Sequence, residues 1–293
     1  MAKKILITGA NGLIGRSLYQ HLKHSRDEIY AVDNNSRFST YTQDGVTNQP
    51  LEEFLQNCNI GFDYIIHLAA INGTSNFYSR PLDVISNNVK SDLSVFDYAQ
   101  QHNCKILYAS SSEVVSESSN IPTSEEIDVT VKDIHNPRWS YKFGKMIGEN
   151  YLMNSKLDYV IIRFFNLFSE HSGKGHFVHD IVQKIKQNNF ELIGPFETRS
   201  FCYVTDVVPH FLPIMHKINK EILNLGSDEE IKIIEAANII CHKFKVKPNW
   251  KFKDSLPGSC QRRCPDLSKI KSIIPDYNPR KFAQIIDQIF DKF

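Results

Sequence analysis

The chain has 293 residues, 41% hydrophobic and 23% charged, an ordinary globular balance. Its formal net charge of +1 offers no basic field for nucleic acid or an anionic membrane surface. No apolar run reaches the ~20 residues of a membrane helix, no signal-peptide pattern precedes the first strand, and the six scattered cysteines read as reduced thiols of a cytoplasmic protein.

Residues 3–8 read as a buried strand. The turn Gly9-Ala10-Asn11-Gly12-Leu13-Ile14-Gly15 joins it to a helix near 12–24. Such a strand, turn and helix build a dinucleotide site. Gly9 permits the sharp turn, Gly12 lets backbone approach a pyrophosphate, and Gly15 lets the helix pack on the strand. The helix N-terminus offers free N–H groups and a partial positive charge to the phosphates. The spacing is G-x-x-G-x-x-G, not the commoner G-x-G-x-x-G. A second strand, 28–33, ends in Asp33, eighteen positions beyond Gly15. A carboxylate there accepts hydrogen bonds from ribose hydroxyls and repels a 2′-phosphate, which favours NAD over NADP. Two readings stand beside this one: Asp33 as a cap of the loop Asn34-Asn35-Ser36, and Arg37 as an acceptor of a 2′-phosphate.

The stretch 38–49 is polar and shows no clear strand. Beyond it a helix at 50–57, strand 62–67, helix 81–102, strand 104–109, helix 138–155 and strand 158–164 keep the alternation going. The pattern predicts an α/β protein with a doubly wound parallel sheet of the Rossmann kind, covering residues 1–166 and also 201–226. After residue 166 the pattern loosens into a helix at 176–188, strands at 190–193 and 222–225, a helix at 231–243, and a tail rich in Lys, Pro and Arg. Residues 167–293 are expected to be mainly a smaller C-terminal substrate-binding domain over the carboxyl edge of the sheet, where ligands bind in open α/β folds. His176 with His179, and Cys260 with Cys264, lack the matching partners of a metal site, so no metal is expected.

Two segments carry chemistry. Tyr141 and Lys145 are four apart and share one face of a helix. A tyrosine is a poor base at neutral pH, but a neighbouring ammonium favours the phenolate, so the pair makes a general base for a carbinol proton. Strand 104–109 runs into Ser110-Ser111-Ser112-Glu113, hydroxyls that are poor core material and would face a cofactor at the sheet edge. A surface pair on an amphipathic helix, and a serine-rich helix cap, are the alternative readings of these two segments.

Thr8-Gly9-Ala10-Asn11-Gly12-Leu13-Ile14-Gly15, His67-Leu68-Ala69-Ala70, Ser110-Ser111-Ser112-Glu113-Val114 and Tyr141-x-x-x-Lys145 follow in order. With Arg163-Phe164-Phe165-Asn166, Arg199-Ser200-Phe201-Cys202-Tyr203-Val204, Asn224-Leu225-Gly226 and Arg263-x-Pro265-Asp266, the chain resembles the extended short-chain dehydrogenase/reductases over nearly its whole length. The nearest branch is the nucleotide-sugar epimerase/dehydratase one. The resemblance implies Tyr141 as base and Lys145 as the group that lowers its pKa and holds the nicotinamide ribose. It implies Ser111 as the catalytic hydroxyl, Glu113 as an acidic group assisting at C5, and Ser110, Asn88, Asn11, Asn34, Leu68, Ala69 and Ala70 around NAD. Ser112, Asn166, Arg199 and Arg263 would meet the substrate, the last three at its diphosphate. Departures are Val114-Val115-Ser116 where the family often has Val-Tyr-Gly, and Phe143-Gly144 before Lys145.

The activity implied is oxidation at sugar C4, with 4-epimerisation placed first and 4,6-dehydration or decarboxylation as alternatives. A non-catalytic dinucleotide sensor is the alternative of another class. The helices near 81–102 and 138–155 are expected to be neighbours and to form a homodimer as a four-helix bundle.

Overall fold

In a computed structural model, which describes residues 2–36, 43–289 and 291, the apolar runs of the first half become parallel strands. They are β1 (Lys4–Thr8), β2 (Glu28–Asp33), β3 (Thr47–Asn48), β4 (Tyr64–His67), β5 (Lys105–Ser111) and β6 (Tyr159–Phe164). Between them lie α1 (Leu13–Leu22), α2 (Leu51–Gln56), α3 (Thr74–Ser79), α4 (Pro81–His102) and α5 (Trp139–Asn154). The second half begins with β7 (Leu167–Phe168), α6 (Phe177–Lys186), β8 (Glu191–Ile193), β9 (Thr198–Arg199) and β10 (Cys202–Tyr203). It continues through α7 (Phe211–Lys217), β11 (Glu221–Leu225), β12 (Ile231–Lys232), α8 (Ile233–Lys243), β13 (Lys251–Lys253), α9 (Ser268–Ile273) and α10 (Phe282–Ile289).

One seven-stranded parallel sheet runs in the order β11-β6-β5-β4-β1-β2-β3. Its strands read as continuous apolar runs because both faces are covered. Ile5 and Ile7 point into the core under α1, while Leu6 points into the core under α4 and α5. Strand order reverses on either side of β1, so a crevice opens at the carboxyl ends of β1 and β4, the place where such sheets take ligands. Helix α4 begins with Pro81, which has no N–H to leave unpaired, and stops at Asn103 in the left-handed region (φ 56°).

Several elements differ from the sequence reading. Strand β5 extends through Ser110 and Ser111, so these two residues form the strand end itself. The polar stretch 38–49 contains the short edge strand β3, too brief to leave a periodicity. Helix α3, and α7, α9 and α10 in the second half, were not legible as elements. Strand β11 completes the large sheet beside β6. The C-terminal tail divides its allegiance. Leu267, Ile270, Ile274 and Tyr277 pack into the core of the large sheet, where the Tyr277 hydroxyl donates to the Gly226 carbonyl at 2.7 Å.

The smaller lobe has its own core, built by α6, α8 and α10 with Phe168, Phe201 and Tyr203. Phe282 is its centre, fully buried, with its ring 5.1 Å from Phe201 and 5.6 Å from Phe168. Phe282→Ala should cost about 3–5 kcal/mol of stability through lost burial and the cavity left behind. The check is a lower denaturant midpoint in equilibrium unfolding.

Candidate active site

A single cleft of about 1350 Å³ runs from the glycine turn, past the ends of β4 and β5, to the loops of the smaller lobe. Gly9 sits at φ +69°, and a Cβ there would lie 2.7 Å from the Ala69 backbone nitrogen. A Cβ on Gly15 would overlap the Gly9 carbonyl oxygen. Gly12 caps α1 with extended backbone and no side-chain hydrogen bond, which leaves the first N–H groups of the helix to a ligand. This cradle, closed to any side chain, fits a dinucleotide pyrophosphate. Gly9, Gly12, Leu13, Ile14, Gly15, Asp33, Asn34, Leu68, Ala69, Ala70 and Asn88 all line the cleft.

Asp33 does two things at once. Its Oδ1 accepts the Asn35 N–H at 2.7 Å and its Oδ2 the Asn11 N–H at 2.9 Å, so it caps the loop while standing in the cleft wall. Asn11 lies off the cleft: its amide donates to Asn35 Oδ1 at 2.6 Å and accepts from Gln43, tying the glycine turn to two loops. Arg37 lies outside the described residues. Asn88 clamps the loop after β4, accepting the Ile71 N–H at 2.7 Å and donating to the Ile71 carbonyl at 3.1 Å.

Tyr141, on α5, and Ser111, at the end of β5, both line the cleft. The Tyr141 ring stacks on Phe77 at 4.8 Å. Ser111 Oγ accepts the Glu113 N–H at 3.1 Å. Lys145 is set behind them. It is buried, its Nζ lies 6.0 Å from the centre of the Tyr141 ring and 4.5 Å from that of Tyr108, and it is not part of the cleft wall. Desolvation pulls the Lys145 pKa down, opposed by Asp92 and then Glu149. Ser110 lines the cleft while its hydroxyl donates to Glu149, which Arg163 holds at 2.7 and 3.0 Å. Ser112 stands in the wall, its N–H given to the Phe164 carbonyl.

The substrate end is built from buried charges. Glu113 Oε1 accepts from Arg138 Nη2 at 2.7 Å and from Arg263 Nη1 at 2.8 Å, and Oε2 accepts from Arg138 Nε at 3.2 Å. Burial alone would raise the Glu113 pKa, but the Arg263 and Arg138 guanidiniums hold it well below the usual carboxylate range. Glu113 is therefore an anion locked between two cations, with no proton to give at neutral pH. Arg263 is buried with the Cys260 thiol beside its guanidinium, and its Nε and Nη2 make no other hydrogen bond. Arg199 is spent on Glu197 at 2.6 Å, on Ser259, and on the carbonyls of Thr198 and Cys260. Asn166, at φ +41°, donates to the Ser200 carbonyl at 3.4 Å.

The sequence reading missed Arg138, Glu197, His67 as a bonded group, Asp92 and Glu149. Arg138 was findable, since it lies one helical turn before Tyr141. Asp92 was findable too, because it falls on the same stripe of α4 as buried Val84, Asn88 and Phe96. His176 and His179 line the cleft, and among the described residues no group of three His, Cys, Asp or Glu is placed to hold a metal. No helix among the described residues is long and apolar enough to cross a membrane.

Comparison with known proteins fits this geometry. The model of the NAD dependent epimerase/dehydratase family matches residues 5–226. The chain belongs to that family; it is an NAD-dependent enzyme of the nucleotide-sugar epimerase, dehydratase and decarboxylase group. UDP-glucuronic acid decarboxylase 1 of Xenopus tropicalis is 29% identical over 288 residues, covering 93% of this chain and 68% of that protein. UDP-N-acetyl-alpha-D-glucosaminuronate decarboxylase of Bacillus cytotoxicus is 28% identical over 296 residues, covering 93% of this chain and 92% of that one. The fold is shared with the NDP-hexosamine 5,6-dehydratase TunA, at a TM-score of 0.87 and 20% identity over 99% of this chain and 97% of that one. It is shared also with the UDP-glucose 4-epimerase of Thermotoga maritima, at 0.85 and 20% over 99% of each.

Glu113→Gln would leave two buried guanidiniums without their counter-charge. We expect a loss of about 3–5 kcal/mol in unfolding free energy. Because the folded-state pKa of Glu113 is lowered, its stabilisation is present above the unfolded carboxylate range near pH ~4.3 and is lost as the pH falls below it. The variant's stability should therefore approach that of the wild type only in acid, as measured by denaturant titration across pH.

Proposed function

We propose that this chain oxidises C4 of a nucleotide-linked hexuronate and then releases its C6 carboxylate as carbon dioxide. Bound NAD would supply the hydride acceptor for that oxidation, held by the Gly9-Gly12-Gly15 cradle and Asp33. Tyr141 takes the C4 hydroxyl proton, Ser111 hydrogen-bonds the same oxygen, and the Lys145 cation behind the phenol favours its ionised form. Once C4 is a ketone, the C6 carboxylate is β to a carbonyl. The electron pair of the C5–C6 bond can then flow into the C4 oxygen, where Ser111 and Tyr141 stand as donors for the developing enolate. Addition of a proton at C5 and reduction at C4 complete the cycle.

The observation that carries this reading is Arg263. Two of its donors are buried without a partner at the cleft wall, and a buried donor left unmade is costly. A small shift of the Arg263 side chain, which lines the cleft, would turn these shielded donors to a sugar carboxylate as a bidentate pair. The Glu113, Arg138 and Arg263 cluster carries one uncompensated positive charge, which suits an anionic sugar. The decarboxylase relatives lend support. Dehydration is less well served, since expulsion of the C6 hydroxyl needs an acid, and Glu113 is held ionised. The second reading is 4-epimerisation. It uses the same Ser111 and Tyr141, and the width of the cleft gives a keto-sugar room to turn.

Incubation with NAD and a panel of UDP-hexuronates and UDP-hexoses, with products read by mass and by NMR, separates these outcomes. We expect a uronate to lose the mass of carbon dioxide. Unchanged mass with inverted C4, or loss of the mass of water, overturns the reading in favour of epimerase or dehydratase. Arg263→Gln should lower kcat/KM for the uronate about 10- to 100-fold, the worth of a lost charged hydrogen bond.

We also infer a homodimer. Helices α4 and α5 pack side by side and turn Leu82, Leu93, Ile147 and Met153 outward. A second copy would bury these apolar side chains in a four-helix bundle. Light scattering should give twice the chain mass, and a monomer would refute the inference. The six cysteines, unpaired with one another, suit a reducing, cytoplasmic location.

A further inference from the structure

The general base described above needs Lys145 to stay charged, and its burial opposes that. The counterweight is a closed set of buried groups on four elements. Asp92 of α4 is 2% exposed, and its Oδ1 lies 3.9 Å from Lys145 Nζ and 3.0 Å from His67 Nε2. Its Oδ2 takes the Tyr108 hydroxyl at 2.5 Å. His67 Nδ1 lies 2.7 Å from Thr8 Oγ1.

The direction of this chain follows from counting donors. Thr8 Oγ1 accepts the Leu68 and Ala69 N–H groups at 3.2 Å each, so its single proton points to His67 Nδ1. That nitrogen is then the acceptor, Nε2 carries the imidazole proton, and it donates to Asp92. Tyr108 donates to the other carboxylate oxygen. Asp92 thus accepts two neutral donors, and the neighbouring cation is Lys145. The other acid near Lys145 is Glu149 on α5, and Arg163 of β6 already balances it in a bonded pair that also takes the Ser110 hydroxyl. The remaining ionisable neighbours are the Tyr108 phenol under the ammonium and the Tyr141 phenol it serves.

We propose that Asp92 is a positioning residue: held by His67 and Tyr108, it is the fixed counter-charge that keeps Lys145 cationic beside the Tyr141 phenol. This rests on the reading of Tyr141 as the base of C4 oxidation. It also ties the base to the glycine turn, because Thr8 at the far end of the chain stands next to Gly9 and holds the loop at Leu68 and Ala69.

The test is an ultraviolet phenolate titration of the protein without added ligand. Subtracting the curve of each variant's Tyr141→Phe counterpart isolates Tyr141. Asp92→Asn keeps the shape and removes the charge, so Lys145 loses its proton more readily and Tyr141 should ionise about one pH unit or more higher. An unchanged midpoint overturns the proposal. Should Asp92→Asn fail to fold, Asp92→Ser removes the same charge with a smaller side chain and is judged the same way: a Tyr141 midpoint raised towards that of Lys145→Met supports the proposal, and an unchanged one overturns it.

Stopped-flow mixing of wild type with NAD and the uronate, followed by absorbance of the reduced nicotinamide, tests the underlying reading separately. No reduction with any nucleotide sugar sinks the proposed function, while the titration still judges Asp92. With reduction present, the acid limb of its pH profile should move up in Asp92→Asn by the same shift as the phenol.

Discussion

Charge buried at the carboxyl edge of a parallel sheet is the constraint around which this molecule is arranged. An ion taken out of water is tolerated when another ion and a set of hydrogen bonds replace the water. Beneath and beside the cleft several buried ions have an ion partner: Glu113 between Arg138 and Arg263, Glu149 with Arg163, Arg199 with Glu197, Lys145 with Asp92. These partners come from different elements, so the pairs also fix where α4, α5, β5, β6 and the C-terminal loops stand relative to one another.

The pairing is uneven in a way that matters for chemistry. Away from the cleft Glu149 forms a closed set, with both oxygens taken by Arg163 and Ser110. Where Arg263 lines the cleft, two of its donors are buried without a hydrogen-bond partner, and one positive charge is left over in its cluster. Lys145 has the opposite setting: it is withdrawn behind Tyr141 and does not line the wall. One fold thus sets an excess of positive charge and a phenol backed by a buried ammonium along the same cleft. Electrostatic effects are strongest where water is excluded, and both groups sit where it is.

The fold was legible where hydrophobic pattern and glycine chemistry are local properties. Strands buried on both faces leave continuous apolar runs, and the turn between Gly9 and Gly15 leaves its glycines because a Cβ at either end would strike backbone. Elements of two or three residues, such as β3 and β9, leave no pattern to read. The C-terminal helices were hidden by a different cause: α9 and α10 are short, and the lysines and prolines around them mask the apolar positions that Ile270 and Phe282 bury in two separate cores.

By itself the sequence determined the strand and glycine turn at Gly9 to Gly15, the parallel sheet and the family, because each depends on residues close in the chain or at fixed positions on one strand or helix. Tertiary structure alone decided what those residues are bonded to. That Glu113 is locked by arginines 25 and 150 positions away, that Asn11 and Ser110 are bonded into their own networks, and that Asp92 and His67 stand behind Lys145 are facts of long-range packing. A side chain's charge state and its freedom to meet a ligand depend on the partners that folding brings to it, and spacing along the chain carries no record of them.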